Sequence, residues 1–163
     1  MGLLENDLNV MQRHKTLLGE RFKLKDLGEV QQILGIAIDY NKQTCTLELY
    51  QTCYIEESLK HYGLNDGRTH RTALASGIKL SKDDSPSTDA EKAHMKGLPY
   101  QNLIGMLMYA MLGTRPDIAF AVGAMSKYSA NPGRAHWDQA VHVLRYLGGT
   151  KGYRILCIGW LYD

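Results

Sequence analysis

No two cysteines in this chain stand at metal-ligand or redox spacing. Cys45, Cys53 and Cys157 are far apart and odd in number, and no histidine pair lies beside them at ligand spacing. That excludes a zinc module or a disulfide framework. It fits reduced thiols, with Cys45 and Cys157 read as strand residues that pack as small apolar groups. No basic stretch precedes an apolar core at the start, so no secretory signal is read. No apolar run approaches membrane-spanning length. Gly2 is followed by Asn6 where myristoylation needs Ser or Thr. The expected setting is therefore intracellular, cytoplasm or nucleus, with no membrane partner. His14, His61, His70, His94 and His142 show no triad or metal logic, and neither Ser126 nor Ser129 sits in a nucleophile elbow. No internal repeat is visible.

Charge of one sign is also in short supply. The net charge of +2 is too small to demand a polyanion. A local run, Arg13, Lys15, Arg21, Lys23 and Lys25, fits either a phosphate backbone or a plain solvated face. At 44% hydrophobic and 22% charged residues the 163-residue chain reads as globular, with room for one domain or two small lobes.

Periodicity supplies the elements. Leu4, Leu8, Met11, Leu18 and Phe22 recur at helical spacings, predicting a helix from about Asp7 to Glu20, capped by Asp7 or Asn6. Ile33 to Tyr40, a turn at Asn41-Lys42-Gln43, and Thr44 to Tyr50 form a β-hairpin signature. A short helix follows over about Tyr54 to Tyr62. Residues 65–97 hold few apolar anchors and read as an exposed linker. Three helices are expected next, over about Pro99 to Leu112, Pro116 to Tyr128 and Arg134 to Leu147, then a strand over Tyr153 to Trp160. The fold class is α+β.

Several blocks occur in a fixed order: Phe22-Lys23-Leu24-Lys25-Asp26-Leu27-Gly28-Glu29, then Leu34-Gly35-Ile36, Gln51 to Ile55, Tyr100 to Val122 with Gly113-Thr114-Arg115-Pro116-Asp117-Ile118, and His136 to Thr150. Together they resemble the C-terminal part of the reverse transcriptase of copia-type LTR retrotransposons. The similarity runs from about Asp7 to Ile158. Thr72-Ala73, Gln101 and Gly148 depart from the family's usual Thr-Pro, Arg and Lys.

The resemblance implies a layout: residues 1–64 as a palm tail with a hairpin like the primer grip, 65–97 as a polar linker, 98–150 as a thumb- and connection-like three-helix lobe, and 151–163 as a single short strand leading toward a ribonuclease H domain. In the family's order the chain starts just after the palm's catalytic hairpin. The parent activity is RNA-directed DNA polymerisation with Mg²⁺. The family's Tyr-x-Asp-Asp signature is absent here, and Asp83-Asp84 lies in the polar stretch, away from any rigid carboxylate cluster. The expectation is a catalytically inactive fragment with no catalytic residue, metal ligand or cofactor of its own.

What it keeps are parts that hold primer–template duplex. Leu34-Gly35-Ile36 would form the grip, the glycine either admitting the sugar-phosphate backbone or marking an ordinary strand bulge. Gln101, Gly105 and Tyr109, at i, i+4 and i+8, share one helix face and resemble the minor-groove track of retroviral thumbs. Close helix packing would explain Gly105 equally well, since Leu103, Ile104, Leu107, Met108 and Met111 mark the helix as largely buried. Lys23 and Lys25 would join the duplex face. The alternative is a non-catalytic module that binds nucleic acid or a polymerase chain, including the rest of a Pol polyprotein.

Overall fold

The computed structural model describes residues 7–75 and 77–158. Residues 1–6 and 159–163, which include Gly2, Leu4, Asn6 and the expected strand end at Trp160, lie outside the described residues.

Helix α1 (Leu8–Arg21) starts where expected, because the Asp7 carboxylate accepts the Asn9 amide at 2.7 Å. It meets the rest of the chain along a thin seam. Met11, Lys15 and Leu18 are half-buried, and Lys15 reaches forward to Asp26 at 2.8 Å. Strands β1 (Gln32–Ile33), β2 (Ile36–Asn41) and β3 (Thr46–Tyr50) then run as an antiparallel meander. The β2–β3 register pairs Asn41 with Thr46 and Ala37 with Tyr50. Asn41 folds its side chain over that turn and accepts the Gln43 and Thr44 amides.

The expected short final strand is present and joins the sheet. Strand β4 (Ile155–Ile158) returns to the sheet and pairs antiparallel with β3, Ile155 opposite Leu49 and Ile158 opposite Thr46. An unpaired strand leaves its amides and carbonyls unsatisfied, and β3 offers a free edge.

Helix α2 (Thr52–His61) leads from the sheet into the helical lobe and buries Ile55. The stretch read as a linker holds structure after all: a 3₁₀ turn at Lys82–Asp84 and helix α3 (Asp89–Lys96). Both start on capping boxes, Ser81 with Asp84 and Thr88 with Glu91. Apolar periodicity misses them because caps, with Met95 as one buried anchor, set their position. The preceding residues are strapped to the lobe. Asp66 receives a two-pronged bond from Arg145 at 2.7 and 3.1 Å, and His142 Nε2 lies 2.9 Å from the Thr72 carbonyl.

The core belongs to α4 (Tyr100–Gly113), α5 (Ala119–Ser126) and α6 (Arg134–Gly149). Leu103, Leu107, Ile118, Met125, Val143 and Leu144 are completely enclosed. A 3₁₀ turn, Pro116–Ile118, replaces the first turn of the expected helix. Its cause is Arg115, 1% exposed. The guanidinium bonds both oxygens of Asp117 at 2.9 and 2.7 Å, and also the backbone and hydroxyl oxygens of Thr150. Burial alone would raise the Asp117 carboxyl, but the bonds from Arg115 and Tyr146 hold it below its usual range.

At the start of α6 the chain passes so close to the 81–84 turn that a β-carbon on Gly133 would fall 1.7 Å from the Asp84 carbonyl oxygen. His136, fully buried, seals this joint. Its Nδ1 accepts the Gly133 amide, and its Nε2 lies 3.1 Å from the Ser81 carbonyl.

Candidate nucleic-acid interface

Leu34 and Gly35 form neither a strand core nor a bulge. They are the two central residues of the β1–β2 turn, with φ of +50° and +76°. Two consecutive positive φ values define a type I′ turn, whose twist matches the flanking strands. Gly35 takes this geometry freely, whereas Leu34 holds an uncommon left-handed conformation. Ile36 opens β2. The sequence signal missed the turn because its first residue is Leu, where the rule looks for Asn, Asp or Gly.

The turn is clasped to the helical lobe. The Tyr109 hydroxyl, on α4, donates to the Leu34 carbonyl across 75 positions of sequence. A β-carbon on Gly35 would lie 3.1 Å from that same hydroxyl. The Tyr109 ring meets Tyr54 of α2 edge-on, with centroids 4.7 Å apart. Tyr54 is itself anchored through its hydroxyl to the Met106 carbonyl, and burial pushes its pKa up to about 12. The structure thus joins Leu34, Gly35 and Tyr109.

Gln101 and Gly105 stand on the same outward face of α4. The Gln101 side-chain amide donates one N–H to the Ser129 carbonyl at 3.0 Å, which leaves its second N–H free. Gly105 has nothing within 4 Å of where a β-carbon would stand. Close helix packing therefore does not account for this glycine. Lys23 and Lys25 are exposed in the coil between α1 and β1 and make no ion pair among the described residues. No bond ties them to α4.

Other residues of this face escaped the sequence reading. Met108, counted there as buried, is partly exposed, Leu112 is 78% exposed and Phe120 on α5 is 80% exposed. Neither α4 nor α5 carries a charged side chain. Apolar residues ordinarily signal a core, so nothing in the pattern marks these as outward-facing. His136 and Arg115 are sealed into the packing already described.

Among the described residues no three His, Cys, Asp or Glu side chains come together as a cation site. Asp84 is committed to its cap, accepting the Ser81 amide at 2.7 Å. Among the described residues no helix is long and apolar enough to cross a membrane.

Comparison with known proteins gives this geometry its context. No family model matches the chain, and no solved structure matches it. Curated relatives do. The chain is 42% identical over 159 residues to the retrovirus-related Pol polyprotein from transposon TNT 1-94 of Nicotiana tabacum, covering 98% of this chain and 12% of that protein. A Ty5-1 transposon protein of Saccharomyces cerevisiae is 31% identical over 144 residues, covering 87% of this chain and 44% of its own length. The Pol polyprotein from transposon RE1 of Arabidopsis thaliana is 32% identical over 145 residues, covering 87% of this chain and 9% of that protein. The chain thus spans from about a tenth to under half the length of these relatives. Over most of its length, its homologues are retrovirus-related Pol polyproteins of Ty1/copia-type transposons.

Proposed function

We propose that this chain is the primer–template-holding part of a copia-type reverse transcriptase, and that it does not polymerise alone. The observation that carries this reading is the bond from Tyr109 to Leu34, which sets the β1–β2 turn beside the outward face of α4. On that face the free N–H of Gln101 meets minor-groove acceptors that every base pair presents, giving grip without sequence readout. Bare Gly105 admits the sugar rims, and the turn supplies backbone at the strand end. On this reading residues 1–64 are the palm tail and 98–150 the thumb and connection. Lys23 and Lys25 add charge along the strand. Phosphoryl transfer requires rigid carboxylates around divalent cations, and the parent's set lies in a hairpin that this sequence does not contain.

The test is fluorescence anisotropy with an RNA–DNA hybrid, alongside primer extension with Mg²⁺. Binding that weakens as salt rises, and falls several-fold in Gln101→Ala, supports the grip. Salt-independent binding, or none, refutes it, and any extension product refutes inactivity. A second reading rests on the uncharged outer face of α4 and α5. Leu112 and Phe120 there suit an apolar protein partner, such as another part of a Pol polyprotein. That partner would be retained at high salt, where a duplex is released.

A further inference from the structure

A cleft of about 530 Å³ opens between α3, the start of α4 and residues 129–132. Its polar lining is Lys92, Lys96, Gln101, Asn102, Ser129 and Asn131. No Asp or Glu lines it. Every one of these side chains can donate a hydrogen bond, and two are cations one helical turn apart on the same face of α3. The nearest recorded acid is Asp89, which touches Lys92 at 3.6 Å with its own side chain fully in solvent; such a surface pair is worth little and yields easily. Lys96 makes no ion pair among the described residues. Three of the chain's four prolines, Pro86, Pro99 and Pro132, stand in the walls. Their fixed φ angles hold the cleft open in advance.

Two ammonium groups, Lys96 without an ion pair among the described residues and Lys92 with only an exposed one, stand among amide donors in a cleft lined by no carboxylate, which describes a site for an oxyanion. Gln101 belongs both to this cleft and to the α4 face, so an anion bound here sits at one end of the duplex track. We infer that the cleft between α3 and α4 binds a phosphate group, that of a nucleic-acid backbone, through Lys92 and Lys96. This rests on the duplex-holding reading and deepens it, supplying the charge that α4 and α5 lack.

The experiment compares the full chain with the double variant Lys92→Gln/Lys96→Gln. Lys60→Gln, on α2, is the control, and thermal melts verify that each variant folds. On an RNA–DNA hybrid the double variant is expected to bind roughly tenfold more weakly, with the log–log salt slope smaller by about 2. Lys60→Gln should match the parent chain. An unchanged slope in the double variant overturns the inference. If the parent chain binds no hybrid at all, the duplex-holding reading fails, and the cleft is judged separately with inorganic phosphate. Saturable shifts of the Gln101 and Asn102 amide resonances, lost in the double variant, then sustain a free-phosphate site; no shift overturns it.

Discussion

The two halves of this molecule bury their side chains very differently. Every fully buried side chain among the described residues comes from position 51 or later, and residues 7–50 supply none. The lobe of α4, α5 and α6 encloses its core together with Ile55 of α2. The hairpin region is held by its strand ladder and by the Tyr109 clasp, while Phe22, Leu24, Leu27, Val30 and Leu34 stand in solvent. The core thus lies in the second half, and these apolar side chains of the hairpin region lie outside it.

That contrast can be broken at the lobe first. Asp117→Ala leaves the Arg115 guanidinium enclosed without its counter-ion, and a loss of about 3 kcal/mol is expected in urea unfolding. A loss under about 1 kcal/mol would show that Thr150 alone satisfies the arginine. Next, Gly133→Ala forces α6 away from the 81–84 turn, with an expected loss of about 2 kcal/mol by the same measurement. No loss would mean that the joint gives way freely.

Acid should act on the same joint. His136 folds as the neutral ring, because burial lowers its pKa below the ordinary 6.5, more than the Ser81 carbonyl and Asp84 raise it. A depressed folded value means that the unfolded chain binds more protons, so this contribution is complete above pH 6.5 and is lost as pH falls through the folded value. His70, lowered by burial and by the neighbouring charges of His142 and Arg145, adds in the same direction. Unfolding free energy should therefore decline as pH falls below 6.5, and His136→Gln should flatten that decline. Equal slopes would remove His136 from the explanation.

In the hairpin region the effects should be smaller and local. Tyr109→Phe removes one hydrogen bond, worth about 1 kcal/mol. Amides of Ile33 and Ile36 should then exchange faster with solvent while those of α6 do not change. Uniform acceleration would mean that the two halves unfold together. Smallest of all, Leu112→Ser and Phe120→Ser should each alter stability by no more than about 0.5 kcal/mol. A larger loss would place these side chains inside the fold.

Much of this arrangement is legible in the sequence, for physical reasons that also set the limit. Asp7 ahead of α1, the two alternating runs around Asn41, and Gly113 with Pro116 between helices are local signals, and the structure obeys them. Gln101, Gly105 and Tyr109 share a face because helix geometry alone decides it. What escaped depends on distant partners. Helix α3 has caps in place of an apolar stripe. The outward turn of Met108, Leu112 and Phe120 is set by which side of the α4–α5 pair the core occupies. The Leu34 turn is held by a tyrosine far along the chain, and the Lys92–Lys96 cleft forms only when α3 meets α4.

One pairing has a consequence for the order of events in the cell. Strand β4 lies against β3, yet the entire helical lobe is translated between them. Local elements can assemble as they leave the ribosome, but closing so long a loop carries an entropic penalty that only a formed lobe offsets. The last rung of the sheet must therefore wait until the whole helical lobe and β4 have been made. A nascent chain halted before Ile155 would carry β3 with an open edge, a ready template for mispairing with its neighbours on the same polysome.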